Sequence, residues 1–248
     1  MSDTANPGKL ASAAPLSSAK ELDARLKRTD ENRWLATRYA PEAGRELLVA
    51  LYLLHQELQR ALQTSEPMLG KIRIQWWRET IGQISGAGPV RRHDLAEELS
   101  RVTKDRADLV APVNDLVDRY DDILDDHLQA GGHKAESEHE ARHLAAEASL
   151  ARLAGLALDA SAAADRLDAL SRCGEAYLAL TVQLPDATQR WDTARKAARK
   201  LPVSLWPAIV QLAAVRDPYR TADNPRTADK APLMKRWRVL QAMFGRRL

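Results

Sequence analysis

ELLVALYLLHQELQRALQTSEPMLGKIRIQWWRE, residues 46–79, reads as two apolar helices joined by a short turn. Leu47, Leu51, Leu54, Leu58 and Leu62 recur at three- and four-residue spacing and so share one helical face. Ala50, Val49 and Leu53 make the other faces apolar as well, which predicts a helix surrounded by protein. One stripe of it is polar: Tyr52, His55, Gln59 and Gln63 point nearly the same way, and on a buried helix they need hydrogen-bond partners or a wet cavity. The second helix opens at Ser65, Glu66 and Pro67, a cap, an acid and a proline whose missing N–H costs little in a first turn. Met68, Leu69, Ile72 and Trp76 mark one apolar face, and Ile74, Trp77, Ile81 and Ile84 another, so this helix too is expected to be buried.

The run ALYLLHQELQRALQ, followed by a helix carrying WWRE, resembles the first signature of the squalene/phytoene synthase family. In active members that signature ends in a D-D-x-x-D motif whose carboxylates bind Mg²⁺, which holds the diphosphate of a prenyl substrate. Here Gln59, Arg60 and Gln63 stand where the resemblance places aspartates, and Gln56 where it places an arginine. Mg²⁺ prefers charged oxygen ligands, and carboxamides bring dipoles without the charge. Arg60 remains able to meet a phosphate directly.

Working outward, DENRWLATRYAP (residues 30–41) is similar to the family's opening helix, with Asp30 as a candidate N-cap, Trp34, Leu35 and Tyr39 pointing inward and a stop at Pro41. Arg38, Arg45, Arg60 and Arg78 are candidate phosphate contacts; arginines at such places also serve in surface ion pairs. Residues 1–17, rich in Ala, Ser and Pro, read as a disordered tail, and 18–248 as one helical domain.

Downstream, DLVDRYDDILDDH (115–127) spells D-D-x-x-D at Asp121, Asp122 and Asp125. Val113, Leu116, Val117, Tyr120, Leu124 and Leu128 define the apolar face there, which places Asp115, Asp118, Asp122, Asp125 and Asp126 towards water and Asp121 at the boundary. The cluster is therefore expected to be a solvated or partner-binding face, with metal binding at Asp121, Asp122 and Asp125 the lesser reading. His127, His133, His139 and His143 follow, and the last two have i, i+4 spacing but no glutamate of an H-E-x-x-H site, so they read as exposed histidines near a loop. Past an alanine-rich helix, LDALSRCGEAYLALTVQLP (167–185) lies where the family carries its second aspartate-rich signature, and only Gly174, Ala176 and Leu178 fit its start. Asp186 reads as a cap.

The chain of 248 residues is 45% hydrophobic and 29% charged, enough for one packed core, and its net charge of +3 is too weak and too interspersed with acids to indicate nucleic acid. One cysteine, Cys173, rules out an intrachain disulfide and fits a reducing compartment. No apolar run reaches a bilayer's span, so the expected place is the cytoplasm, peripheral to a membrane at most. PLMKRWRVLQAMFGRRL (232–248) aligns Leu233, Trp237, Leu240 and Phe244 on one face among Lys235, Arg236, Arg238, Arg246 and Arg247. Such an end suits an anionic membrane or an acidic partner, with Trp237, Arg238, Leu240 and Phe244 as contacts, or equally a last bundle helix with a charged outer face.

The resemblance implies an all-α, single-domain isoprenoid-synthase bundle around a central apolar cavity, lined at the degenerate motif by Tyr52, His55, Gln59 and Gln63. Its branch with eroded aspartates and EPMLGxIRxQWWR includes a mitochondrial complex I assembly factor and bacterial relatives. The expected function is a non-catalytic protein that binds an isoprenoid or lipid, or assembles a respiratory complex, with no cofactor. The alternative is a head-to-head prenyl transferase with relocated Mg²⁺ ligands.

Overall fold

The computed structural model describes residues 18–86, 89–129, 136–215, 231–245 and 248, and among these every regular element is helical. In chain order they are α1 (Ala19–Thr29), α2 (Glu31–Thr37), α3 (Glu42–Leu62), α4 (Pro67–Ser85), α5 (Asp94–Val102), a 3₁₀ turn (Ala107–Leu109) and α6 (Val110–Gln129). Then come α7 (Glu136–Leu158), α8 (Ala164–Val182), α9 (Ala187–Ala198), a second 3₁₀ turn (Val203–Ala208), α10 (Leu212–Val215) and α11 (Ala231–Gly245). Residues 1–17, expected as a tail, and His133 lie outside the described residues.

Helix α3 is the axis. Leu47 through Gln56 is buried without a break, and α1, α4, α5, α6 and α7 all pack on it, as an all-round apolar helix requires. Ser18 and Glu21 form a reciprocal capping box on α1, and Asp30 caps α2, as its sequence suggests, through the Arg33 N–H at 3.0 Å. Helix α4 approaches closely at Gly70, where a Cβ would fall 2.5 Å from the Ala61 carbonyl oxygen and 3.0 Å from the Leu124 side chain. On the far side, Gly174 lets α8 meet α7: a Cβ there would lie 2.4 Å from the Glu147 carbonyl oxygen. The alanine-rich α7 buries Ala151, Ala154 and Ala157.

Three local expectations are corrected. Helix α4 buries Ile74, Trp77 and Ile81, but Met68 and Ile72 are 61% and 62% exposed and Leu69 is exposed with them, because α3 and α6 cover one side of α4. Ser65 does not cap α4; Glu66 holds the cap position without a side-chain bond, and Pro67 supplies the fixed first turn. Asp186 stands at the cap of α9 but makes no capping bond, its carboxylate accepting from Arg190 Nε at 2.8 Å instead. Trp206, fully buried, sits in the second 3₁₀ turn, which contains Pro207.

Candidate functional site

The polar stripe of α3 leads into a chain of buried ionisable groups drawn from α2, α3, α6 and α7. Tyr120 Oη lies 2.9 Å from His55 Nδ1, and His55 Nε2 lies 3.2 Å from Glu147 Oε1. The second contact is electrostatic rather than a well-aligned hydrogen bond. Arg33 donates to Glu147 Oε2 at 2.5 Å and to Asp30 Oδ2 at 2.9 Å, its guanidinium 4.7 Å from the centre of the Tyr177 ring and 5.6 Å from that of Tyr52. A carboxylate only accepts, so a neutral His55 facing Glu147 carries its hydrogen on Nε2, and Nδ1 accepts from the Tyr120 hydroxyl. Gln59, in turn, hydrogen-bonds the Tyr120 oxygen.

Burial sets the electrostatics. For Glu147 burial alone would raise the carboxyl, but the Arg33 guanidinium and then His55 outweigh it and bring it down to about 2. Burial would lower Arg33; Glu147 and Asp30 reverse that and hold the guanidinium well above its ordinary value. Burial pushes the Tyr52, Tyr120 and Tyr177 phenols up, so all three stay protonated at neutral pH. Tyr52 Oη, 1% exposed as a residue, finds no hydrogen-bond partner among the described residues.

Of the four stripe residues, Tyr52 and His55 are therefore in the interior, Gln59 is half-buried, and Gln63 is exposed as the C-cap of α3. The four candidate phosphate arginines do not converge through their contacts. Arg38 pairs with Asp23 of α1 and stacks on Trp34, Arg45 donates to the Ala40 carbonyl at 3.3 Å, Arg60 takes Glu57 on its own helix, and Arg78 reaches across to α6. Nor do Gln59, Arg60 and Gln63 form a donor set that suits Mg²⁺: two are carboxamides and one is a cation, and the adjacent acid Glu57 is already paired with Arg25 and Arg60.

The acidic face of α6 does not simply look into water, because α4 runs beside it. Lys71 Nζ lies between Asp121 and Asp125, 2.5 and 2.7 Å from their carboxylates, and Arg78 takes Asp118 at 2.5 Å and Asp121 at 3.1 Å. An ammonium thus stands between two members of the D-D-x-x-D pattern, and the third, Asp122, is exposed. Asp126, expected outside, is buried and paired with Arg142 of α7. Beside it His127, His139 and His143 have gathered, with ring centres 4.9 Å (His127 to His139) and 4.6 Å (His139 to His143) apart. Only His127 is exposed; His139 and His143 are half-buried, against the expectation of free loop histidines. Burial first, and then the neighbouring imidazoles, bring His143 down to about 4.

Helix α11 turns its small side inward. Val239 and Ala242 are buried, Lys235 and Arg236 both reach Glu31, and the stripe aligned in the sequence is outside: Trp237 53%, Phe244 80%, with Leu233 and Leu240 also exposed. The helix packs on α10 and α2 as a last bundle helix would, and its outer face is apolar as well as charged. No helix among the described residues is long and apolar enough to cross a membrane.

Two partners of the central chain escaped the sequence reading. Glu147 shares a face with Leu144, Leu150 and Ala151, all buried, so an acid on an inward stripe was the available signal. Arg33 gave none, since α2 is too short for a reliable period.

Residues 26–129 match the squalene/phytoene synthase family. That span, from within α1 to the end of α6, is squalene/phytoene synthase-like, and the all-α architecture agrees with the family's fold. Neither curated proteins nor solved structures yield a match to the chain.

Proposed function

We propose that this squalene/phytoene synthase-like protein does not ionise prenyl diphosphates and works instead by binding an isoprenoid or lipid and a partner, in the manner of a respiratory-complex assembly protein. The observation that carries this reading is the set of groups around the α3 stripe: Gln59, Arg60 and Gln63 stand where the resemblance places aspartates, and the groups facing Tyr52 and His55 are the protein's own Arg33, Glu147 and Tyr120. An anion entering there would have to displace Glu147 from Arg33. The outer stripe of α11 fits the peripheral part of the proposal, since Trp237, Leu240 and Phe244 are exposed on a helix whose segment 231–248 carries five Lys and Arg and no acid. Arg238 belongs to the same surface.

The test is incubation with farnesyl and geranylgeranyl diphosphate, with and without Mg²⁺, following diphosphate release and any coupled product. No release from folded protein is expected. Mg²⁺-dependent release lost in Asp122→Ala and Asp125→Ala would overturn the proposal in favour of a transferase with relocated ligands. Co-sedimentation with vesicles containing anionic lipid tests the surface: binding that weakens in Trp237→Ala/Phe244→Ala and at high salt is expected, and binding indifferent to both removes α11 from the reading.

A further inference from the structure

Three of the five described histidines meet at one place, where the end of α6 lies beside the start of α7. His139 and His143 sit one turn apart on α7, and their rings face each other through the same nitrogen, Nε2 to Nε2 at 3.1 Å. The ring of His127 packs on His139 at 4.9 Å and a tilt of 35°, and Arg142 between the pair is held away on Asp126.

The 3.1 Å separation is compatible with metal geometry. Two imidazole nitrogens each about 2.0–2.1 Å from one ion lie about 2.9 Å apart at a right angle and about 3.3–3.4 Å apart at a tetrahedral angle. The observed distance falls between these, so a first-row ion fits with small ring adjustments. A single imidazole–imidazole hydrogen bond also accounts for the contact, with one Nε2 donating and the other accepting. Among the described residues no group of three His, Cys, Asp or Glu is placed to hold a metal, so these residues supply two donors and the remaining positions fall to water or to another donor. We infer that His139 and His143 form a bidentate site for a divalent first-row transition metal, Cu²⁺, Ni²⁺ or Zn²⁺. This site is unrelated to Mg²⁺-diphosphate chemistry, because neutral nitrogen donors suit transition ions and not the hard, oxygen-seeking Mg²⁺ or Ca²⁺.

Isothermal titration of the untagged full chain with Zn²⁺, Ni²⁺ and Cu²⁺ tests it, with Mg²⁺ as the counter-ion. One ion per chain is expected, tightest for Cu²⁺ and with no heat from Mg²⁺. His139→Ala and His143→Ala should each weaken binding by about tenfold or more, since even outer partners of metal ligands command that scale. His93→Ala, at a histidine packed on Trp76 and Trp77, should leave the titration unchanged. Thermal melts of each apo variant confirm folding. Titrations of the wild type that match those of His139→Ala/His143→Ala, or that fall equally in His93→Ala, would overturn the site.

Discussion

Helix α6 carries ionic contacts on two sides. Inward, Tyr120 ends the chain through His55, Glu147 and Arg33; outward, Asp118, Asp121 and Asp125 take Arg78 and Lys71 of α4. Both pair carboxylates with cations at hydrogen-bond distance. They differ in solvent: Arg33 and Glu147 have side chains 6% exposed, whereas Asp118 and Asp125 are open to water at 59% and 47%. Water screens the outer pairs and replaces a lost partner at once, so each is worth about 0–1 kcal/mol. The inner groups have no such substitute, and breaking one leaves a charge stranded. Equal geometry thus carries unequal energy.

The largest effect that sharpens this contrast is Glu147→Ala, which leaves His55 without its carboxylate and the buried Arg33 with Asp30 alone. A loss of about 3–5 kcal/mol is expected in denaturant unfolding, and a loss below about 1 kcal/mol would mean that water reaches the chain. Acid gives the second test. Because the Glu147 carboxyl is depressed to about 2 from 4.5, its contribution is complete above pH 4.5 and is lost as pH falls towards 2. The loss is on the order of a few kcal/mol, and Glu147→Gln should flatten that part of the stability–pH curve.

Next comes Gly174→Ala. Alanine improves helix propensity by about 1 kcal/mol, but its methyl would meet the Glu147 backbone rather than a flexible side chain, so α7 and α8 must part. A net loss of about 1–3 kcal/mol is expected in the same unfolding assay. The double variant Arg33→Met/Glu147→Leu should recover most of what Glu147→Ala loses, since a buried pair exchanged for apolar side chains of similar size is often neutral. Failure to recover would show that the pair fixes the helix arrangement beyond its own charge. Smallest is Lys71→Met, expected to change stability by less than about 1 kcal/mol and to lose even that in high salt.

The same contrast explains what the sequence disclosed. Helix α3 was legible because burial on every side writes an unbroken apolar run, and its stripe Tyr52 and His55 announced polar business within. Which groups answer that stripe was not legible: Arg33 and Glu147 lie 114 positions apart, and only packing of α2 and α7 against α3 brings them together. Asp115, Asp118 and Asp122 of α6 were placed on the correct side of their own helix and Asp126 was not, and a single helix does not reveal that α4 lies beside the acidic side with Lys71 and Arg78. For Met68, Leu69 and Ile72, apolar character was read as burial, whereas the fold leaves them outside.

From its residues alone this chain determined helices, their apolar faces and the synthase-like span, because each is a local or periodic property of sequence. The tertiary structure alone decided which charges meet, which are dried and which apolar stripe stays in water. Those outcomes depend on distance and dielectric, and both are set only when helices remote in sequence have packed.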